Sequence, residues 1–366
     1  MFAIKNAWNK LWYNKGISIV LILSIAAGFI CPIYVLGEVH YVDKMYKDNL
    51  FHVDGTILVV NANSKLIDEQ MDKAISKETG AEEIAYECLY QTTASWKEDI
   101  IVAVGGVSPG FFDITPYTLV AGTMLEAGDS DERVCILKDN SRFVLKGVQV
   151  GDSVSVSGRD YKVVGIVRTT RVYGEIIIPY AFIEEIVGKN IVQHRFLLKS
   201  NEISNNTEVK ENLQKSGIEN VYSIMSVEEE EQQIIKPSYQ KNQQTWILAG
   251  FIVLCLALVS VWNLTMGRVL DERYMYGIRK AVGATDGSLM AETVLQNSVI
   301  VACAFILDGL ILCLPLEQIL PFSVDYGAEV VLQIIIMGIL LVLVMSHISL
   351  IKMKKEICEL VDGGKR

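Results

Sequence analysis

A few groups of residues have the types and spacing that chemistry needs, and in each case the neighbouring residues decide what they can do. Gly106-Val107-Ser108-Pro109-Gly110 has the G-x-S-x-G form of a nucleophile elbow. In that elbow the residue after the serine offers its backbone N–H to the oxyanion, and Pro109 has none to offer. His40, His52 and His194, the available bases, stand in no suggestive setting. Serine hydrolysis is therefore not expected. The run Glu228 to Glu231 has the carboxylate density of a cation site. However, Ser226 followed three residues later by Glu229 forms a capping box, so the run reads as the solvated first turns of a helix, where carboxylates suit the positive end of the dipole. Asp308 stands inside an apolar run, where a carboxylate is costly unless it faces protein or water. An ion or substrate contact is open for it, and so is a plain place about two turns from the outer end, hydrated or pairing at a helix interface.

The elements that must position these residues are set by an uneven distribution of apolar side chains. Of 366 residues 51% are hydrophobic, and four runs are long enough to cross a hydrocarbon core, which takes about 20 apolar residues. They are Ile17 to Leu36, Trp246 to Met266, Val294 to Leu314 and Val330 to Ile351, with Asp308 and His347 the acid and the histidine inside them. A signal peptide is the rival for the first run, since Ser24-Ile25-Ala26 offers small residues at a cleavage-like spacing. The uncharged stretch continues well past Ala26, so a retained span is expected. Ahead of it Ile4, Ala7, Trp8, Leu11 and Trp12 recur at helical spacing among lysines, as in a helix lying under a leaflet.

Lys and Arg near the helix ends set the orientation. Lys5, Lys10 and Lys15 precede the first run, Arg268, Arg273, Arg279 and Lys280 follow the second, and Lys352, Lys354, Lys355, Lys365 and Arg366 follow the fourth. The short 315–329 loop carries Glu317, Asp325 and Glu329 and no base. Both termini and the 268–291 segment are therefore expected in the cytoplasm of a cell membrane protein, with 38–244 outside. That outer segment holds 32 acidic and 21 basic residues, a net of -11, which excludes a nucleic-acid surface. Of the 7 cysteines only Cys88 and Cys135 share it; a bridge between them is open, and two free thiols are expected.

Within the outer segment, 56–64 reads as a strand, and 65–80 as a helix with Leu66, Ile67, Met71 and Ile75 on one face and Gly80 at its end. Residues 99–108 form a second, fully apolar strand. Then short alternating strands follow, separated by Gly and Asp turns: ERVCILKD, DSVSVSG, RDYKVVGIVRTT and GEIIIPY. From about residue 192 the first texture returns with RFLLKS, the helical EVKENLQKSG and VYSIMS. The expected fold is a membrane α-helical protein with four transmembrane helices and a large α+β extracytoplasmic domain carrying a β-rich insert. Its expected parts are 1–37 (interfacial helix and first span), 38–107 with 190–244 (α+β domain and stalk), 108–189 (insert), 245–267 (second span), 268–291 (cytoplasmic segment) and 292–366 (third and fourth spans, outer loop and tail).

The most informative stretch is 271–287, DERYMYGIRKAVGATDG. Met275, Ile278 and Val282 make a narrow apolar stripe at helical spacing, Arg273 and Lys280 point the other way, and Arg279 flanks it. Gly283 can end the helix in a left-handed cap and Thr285 or Asp286 can start the next. A short amphipathic helix joined to the third span is expected. Mixed charge, with Asp271 and Glu272 beside the bases, favours a protein groove over lipid as its partner.

This stretch resembles the coupling-helix signature E-R-x-x-E-I-G-I-R-K-A-V-G-A-T of macrolide-exporter-type permeases, the MacB/FtsX-like family of ABC transporters. It matches at Glu272, Arg273 and Gly277 to Thr285. GVSPGFF and KVVGIV resemble stretches of the same family's outer domain. Met275-Tyr276 departs from the usual acidic-aliphatic pair, and the tail KKEICELVDGG lacks the family's proline. No G-x-x-x-x-G-K-[ST] phosphate loop occurs in these residues. The resemblance therefore implies a non-catalytic permease subunit without cofactor, ATP and Mg being bound by a separate ATPase subunit. It further implies ATPase contacts at Glu272, Arg273, Met275, Gly277, Ile278, Arg279, Lys280, Val282 and Gly283, a second permease chain, same or related, and surrounding lipid. ATP-driven movement would be passed outward by mechanotransmission, to export or extract a peptide, lipid-like or antibiotic substrate. The alternative is a transmembrane sensor or scaffold that regulates a cell-wall or stress process without transport.

Overall fold

The computed structural model describes Trp12 and residues 15–53, 56–125, 133–188, 190–199, 206–218, 220–312 and 324–363. The proposed interfacial helix, save Trp12, lies outside them. The chain divides into two compact units, one built on residues 42–242 and the other on the sequence to either side.

Among the described residues four helices are long and apolar enough to cross a membrane: α1 (Lys15–Lys47), α8 (Lys236–Ala281), α9 (Asp286–Leu312) and α10 (Ala328–Gly363). The four expected spans fall within them, as far as the described residues go. Leu21, Ile25, Phe29 and Ile33 of α1 pack with Val261 of α8, Ile300, Val301 and Ala304 of α9 and Leu341 and Met345 of α10. Small residues let backbones approach, as is general where lipid supplies no hydrophobic drive between helices. Gly28 abuts Ala257 so closely that a side chain there would overlap its Cβ, and Gly338 accommodates the ring of Phe305. Only 17% of the apolar window of α8 is buried, against 50% for α1, so α8 turns most of its apolar surface outward.

The outer unit is a single ten-stranded sheet. Its strands are β1 (Ile57–Ser64), β2 (Glu83–Ser95), β3 (Asp99–Val107), β4 (Thr118–Gly122), β5 (Val134–Lys138), β6 (Ser153–Val156), β7 (Arg159–Arg168), β8 (Ile176–Pro179), β9 (Val192–Lys199) and β10 (Asn220–Ser226). The order is β10-β1-β9-β2-β3-β8-β5-β7-β4, with β6 joining β2 to β7. Helices α2 (Glu69–Thr79) and α6 (Asn206–Lys215) cover the β1/β9/β10 end, where Ile75, Val209 and Leu213 meet Val60, Phe196 and Leu198; between them in the chain come the short α3 (Phe111–Ile114), α4 (Arg142–Leu145) and α5 (Ile183–Val187). Asp68 caps α2 by accepting from the Met71 N–H at 2.8 Å, so Leu66 and Ile67 precede the helix instead of sitting on it.

Every strand anticipated from alternation is present, but β2, the longest at 13 residues, carries no clean alternation. It pairs with β9 over its first half and with β3 over its second, and Ala85 to Cys88 are buried on both faces. The strands between Ser108 and Lys189 join the sheet by the parallel pairing of β8 with β3, where Val107 lies opposite Pro179. They also share a core with their flanks: Cys88, Val102 and Val104 pack with Cys135, Phe143, Val163 and Ile183. The two textures of the sequence are thus one continuous sheet. The loop before β8 crosses β3 so closely that a Cβ on Gly174 would lie 2.3 Å from the Gly105 nitrogen.

Candidate functional site

The stretch 271–282 is not a separate helix. It forms the last turns of α8, which runs unbroken for 46 residues because nothing between Met266 and Ala281 interrupts the helical hydrogen bonds. Gly283 then takes φ +98°, and the Ala284 N–H donates to the Arg279 carbonyl at 3.0 Å. Thr285 caps α9, its Oγ1 accepting from the Ser288 N–H at 3.2 Å. Two glycine- and threonine-encoded expectations, the turn and the new start, are therefore met.

The hairpin has an inner and an outer face. Inside, Tyr276 packs on Val269 and Leu289. The Arg268 guanidinium donates to Glu272 Oε1 at 3.2 Å, to Asn297 Oδ1 at 3.3 Å and to Gln296 Oε1, and Asn297 donates on to Ser346 Oγ at 3.0 Å. This buried chain ties α8, α9 and α10 together. The sequence marks Arg268 for orientation alone and does not single out Gln296, Asn297 or Ser346; their one signal is polarity at the edges of apolar runs. Glu272, expected as a partner contact, is only 8% exposed and faces Arg268. Arg279 pairs with Glu292 of α9, and Lys280 with Asp286 at 3.1 Å. The Arg273 side chain lies outside the described residues. Outside, Met275, Ile278 and Val282 are 52%, 45% and 83% exposed, which leaves the stripe uncovered. Among the described residues nothing lies within 4 Å of where a Cβ on Gly277 would stand.

Asp308 is buried in α9, and among the described residues no hydrogen bond reaches either carboxylate oxygen. Among the described residues it has no pairing partner at a helix interface.

In the outer unit Ser108 is buried, its Oγ accepting from the Tyr86 N–H at 2.9 Å. No base faces it: His194 Nδ1 contacts Ser64 Oγ at 2.9 Å and Nε2 contacts Tyr180 OH at 2.8 Å. Ser64 donates to the Lys65 carbonyl, so Nδ1 donates to Ser64; burial keeps the ring neutral, so Nε2 accepts from the Tyr180 hydroxyl, which in turn accepts from the Ile67 N–H. Burial holds its pKa down at about 4. Because the folded value lies below the ordinary 6.5, the neutral ring's stabilising effect is complete above that pH and is lost as pH falls toward 4. The outer unit should lose ~3 kcal/mol over this window, at about 1.4 kcal/mol per unit. Thermal melts of the parent and His194→Gln across the window check this: the variant should give up less stability on acidification, and parallel curves would remove the assignment. Cys88 and Cys135 are free thiols, buried and pushed up to about 12, and so are inert packing residues. Among the described residues no cluster could hold a metal ion.

The glutamate run behaves differently from expectation. The capping box is formed, with Glu229 and Ser226 exchanging hydrogen bonds of 3.0 and 3.1 Å, over a first turn α7 (Val227–Glu230). Yet Glu230 and Glu231 are buried, not solvated. Arg195 grips Glu230 with two donors at 2.9 and 2.6 Å, Arg171 adds a third at 3.1 Å, and Tyr173 OH donates at 3.1 Å. Burial alone would raise the Glu230 carboxyl, but the two guanidiniums hold it below the usual range. Glu87 completes the cluster, accepting from the Tyr173 and Gly174 N–H groups at 3.0 Å each. A helical sequence pattern gives no sign of these partners, which arrive from β9 and from the loop after β7.

Residues 18–216 match the family model of the MacB-like periplasmic core domain, and 247–356 match that of the FtsX-like permease C-terminal region. The chain is an ABC transporter permease of the MacB/FtsX-like family. Such a permease works with an ATPase subunit. The second match takes in the whole hairpin and α9, together with most of α8 and α10. Among curated proteins the permease is 22% identical over 327 residues, 81% of each chain, to the uncharacterized ABC transporter permease YknZ of Bacillus subtilis (strain 168). Among solved structures it is similar to the extracellular domain of the ABC-type transporter YknZ from Gram-positive bacteria, at 16% identity and TM-score 0.37, covering 46% of this chain and 99% of that one. The periplasmic region of MacB from Actinobacillus actinomycetemcomitans gives 16% identity and TM-score 0.40, covering 52% and 97%.

Proposed function

We propose that this permease is the non-catalytic subunit through which ATP hydrolysis on a separate chain moves an extracytoplasmic domain, a mechanotransmission that exports or extracts a peptide, lipid-like or antibiotic substrate. The observation that carries the reading is the hairpin. An apolar stripe of Met275, Ile278 and Val282 is left uncovered on a helix end that a buried Arg268 network braces against two other apolar helices. A partner's push there meets a stiff body. Gly277 and Gly283 let a partner approach the backbone, and Lys280 stands at the rim. Lys and Arg asymmetry supports a cytoplasmic hairpin and termini with the 38–244 segment outside, and the outward apolar face of α8 supports lipid or a second permease around it. ATP and Mg belong to the partner, since no phosphate-loop pattern lies in these residues. Co-expression with candidate ABC ATPase subunits from the same genome tests this. The permease and one of them should purify together from membranes and hydrolyse ATP as a complex. A permease that purifies alone, with no ATPase bound, supports the sensor or scaffold reading instead.

A further inference from the structure

The charge cluster in the outer unit has a second set of contacts that packing alone does not require. Arg171 reaches with Nη2 to the carbonyl of Phe51, just past the end of α1, and its neighbour Thr170 donates to the Leu50 carbonyl at 2.5 Å. The same guanidinium donates to Glu230 at 3.1 Å and pairs with Glu231 at 3.4 Å, in the turns that lead into α8. Its own carbonyl accepts from Arg195 Nη1 at 2.9 Å, which fixes the loop Thr169–Glu175 to β9. Phe51 stacks on Tyr46 at 4.2 Å and meets Tyr239 edge-on at 5.4 Å, so the two chain segments also touch each other directly. Between Glu230 and Lys236 the helix takes a π turn, Glu231–Ile235, a geometry that recurs where helices do work.

We propose that Arg171 is a positioning residue, a clasp that holds the chain leaving the first apolar helix and the chain approaching the second to one loop of the sheet, so that movement of either reaches Thr169–Glu175. The role rests on the coupling function proposed above. An arginine suits it because its planar fork holds several donors in a fixed geometry that serves a carbonyl and a carboxylate together, where a lysine offers one compact, rotatable charge. Its loss leaves no carboxylate alone, since Glu230 keeps Arg195 and Tyr173 and Glu231 keeps Lys236. The sheet should therefore survive Arg171→Met.

Hydrogen exchange on the full chain in nanodiscs reads the clasp without any partner. In Arg171→Met the Leu50 and His52 amides and those of Glu231–Ile235 should exchange about tenfold faster or more, with β1, β2 and β9 unchanged. Should that variant loosen the sheet as well, Thr170→Val carries the test, with a smaller opening confined to Leu50 to His52. Unchanged exchange at both segments in a folded variant overturns the clasp. In the complex with the ATPase, trapping with ATP and vanadate should alter exchange at Thr169–Glu175 in the parent and not in Arg171→Met, while the change at 271–285 persists in both. A trapped-state change that reaches the loop in the variant as well overturns the transmitting role. Failure of the parent to bind any ATPase sinks the coupling function and leaves the exchange result to decide the clasp by itself.

Discussion

Replacing Glu230 with Ala should unfold the outer unit. Two guanidiniums, Arg171 and Arg195, converge on this one carboxylate, and both are essentially without solvent contact. Burying a charge is tolerable when it is paired, and removing one member of such a group leaves the others uncompensated at a cost of about 3–5 kcal/mol. Here two cations lose their main partner at once, and Tyr173 OH loses its acceptor. A domain holds only about 5–15 kcal/mol in total, so most of the margin goes. Thermal melting and limited proteolysis of the full chain should show a collapse of the 42–242 unit, while Glu231→Ala, whose carboxylate is shared with the half-exposed Lys236, shifts the melt far less. A Glu230→Ala protein that melts with the parent would mean that the cluster is hydrated and its charges weakly coupled.

The other large effect concerns association. Changing Ile278 to Asp should leave the permease folded, because the side chain is 45% exposed and touches none of the buried Arg268 chain. If that side chain enters an apolar groove on the ATPase, the new carboxylate is buried without a partner, at several kcal/mol. Each 1.4 kcal/mol is about tenfold in affinity, so the complex should fall apart at ordinary concentrations. Lys280→Ala is the control: its ion pair with Asp286 is exposed on both sides, and such pairs contribute about 0–1 kcal/mol. Co-purification and ATP hydrolysis are measured for each. Equal binding by Ile278→Asp and the parent would identify the stripe as a lipid-lying surface, and the sensor or scaffold reading would gain.

What the sequence determined by itself is whatever depends on neighbours along the chain. Apolar run length marked the four helices, because a bilayer needs about 20 such residues whatever surrounds them. Gly283, Thr285 and the Ser226–Glu229 box marked a turn and two helix starts, because those bonds close within five residues. Short apolar or alternating runs bounded by turn residues marked most of the strands, including β1, β5, β8 and β9, which are buried on both faces. They failed for β2, whose first half is buried on both faces, whose second half is mostly polar, and whose place between β9 and β3 is set by long-range pairing. Only the tertiary structure decided the fate of the charges. Glu230 and Glu231 have the pattern of a solvated helix start, yet they are buried because Arg195 comes from β9 and Arg171 from the loop after β7. Glu272 lies on the same exposed-looking stretch as Ile278, yet one turns inward to Arg268 and the other outward, a distinction made by where α9 and α10 pack. A carboxylate's partner can be any residue the fold brings within about 3 Å, and separation along the chain places no limit on that choice.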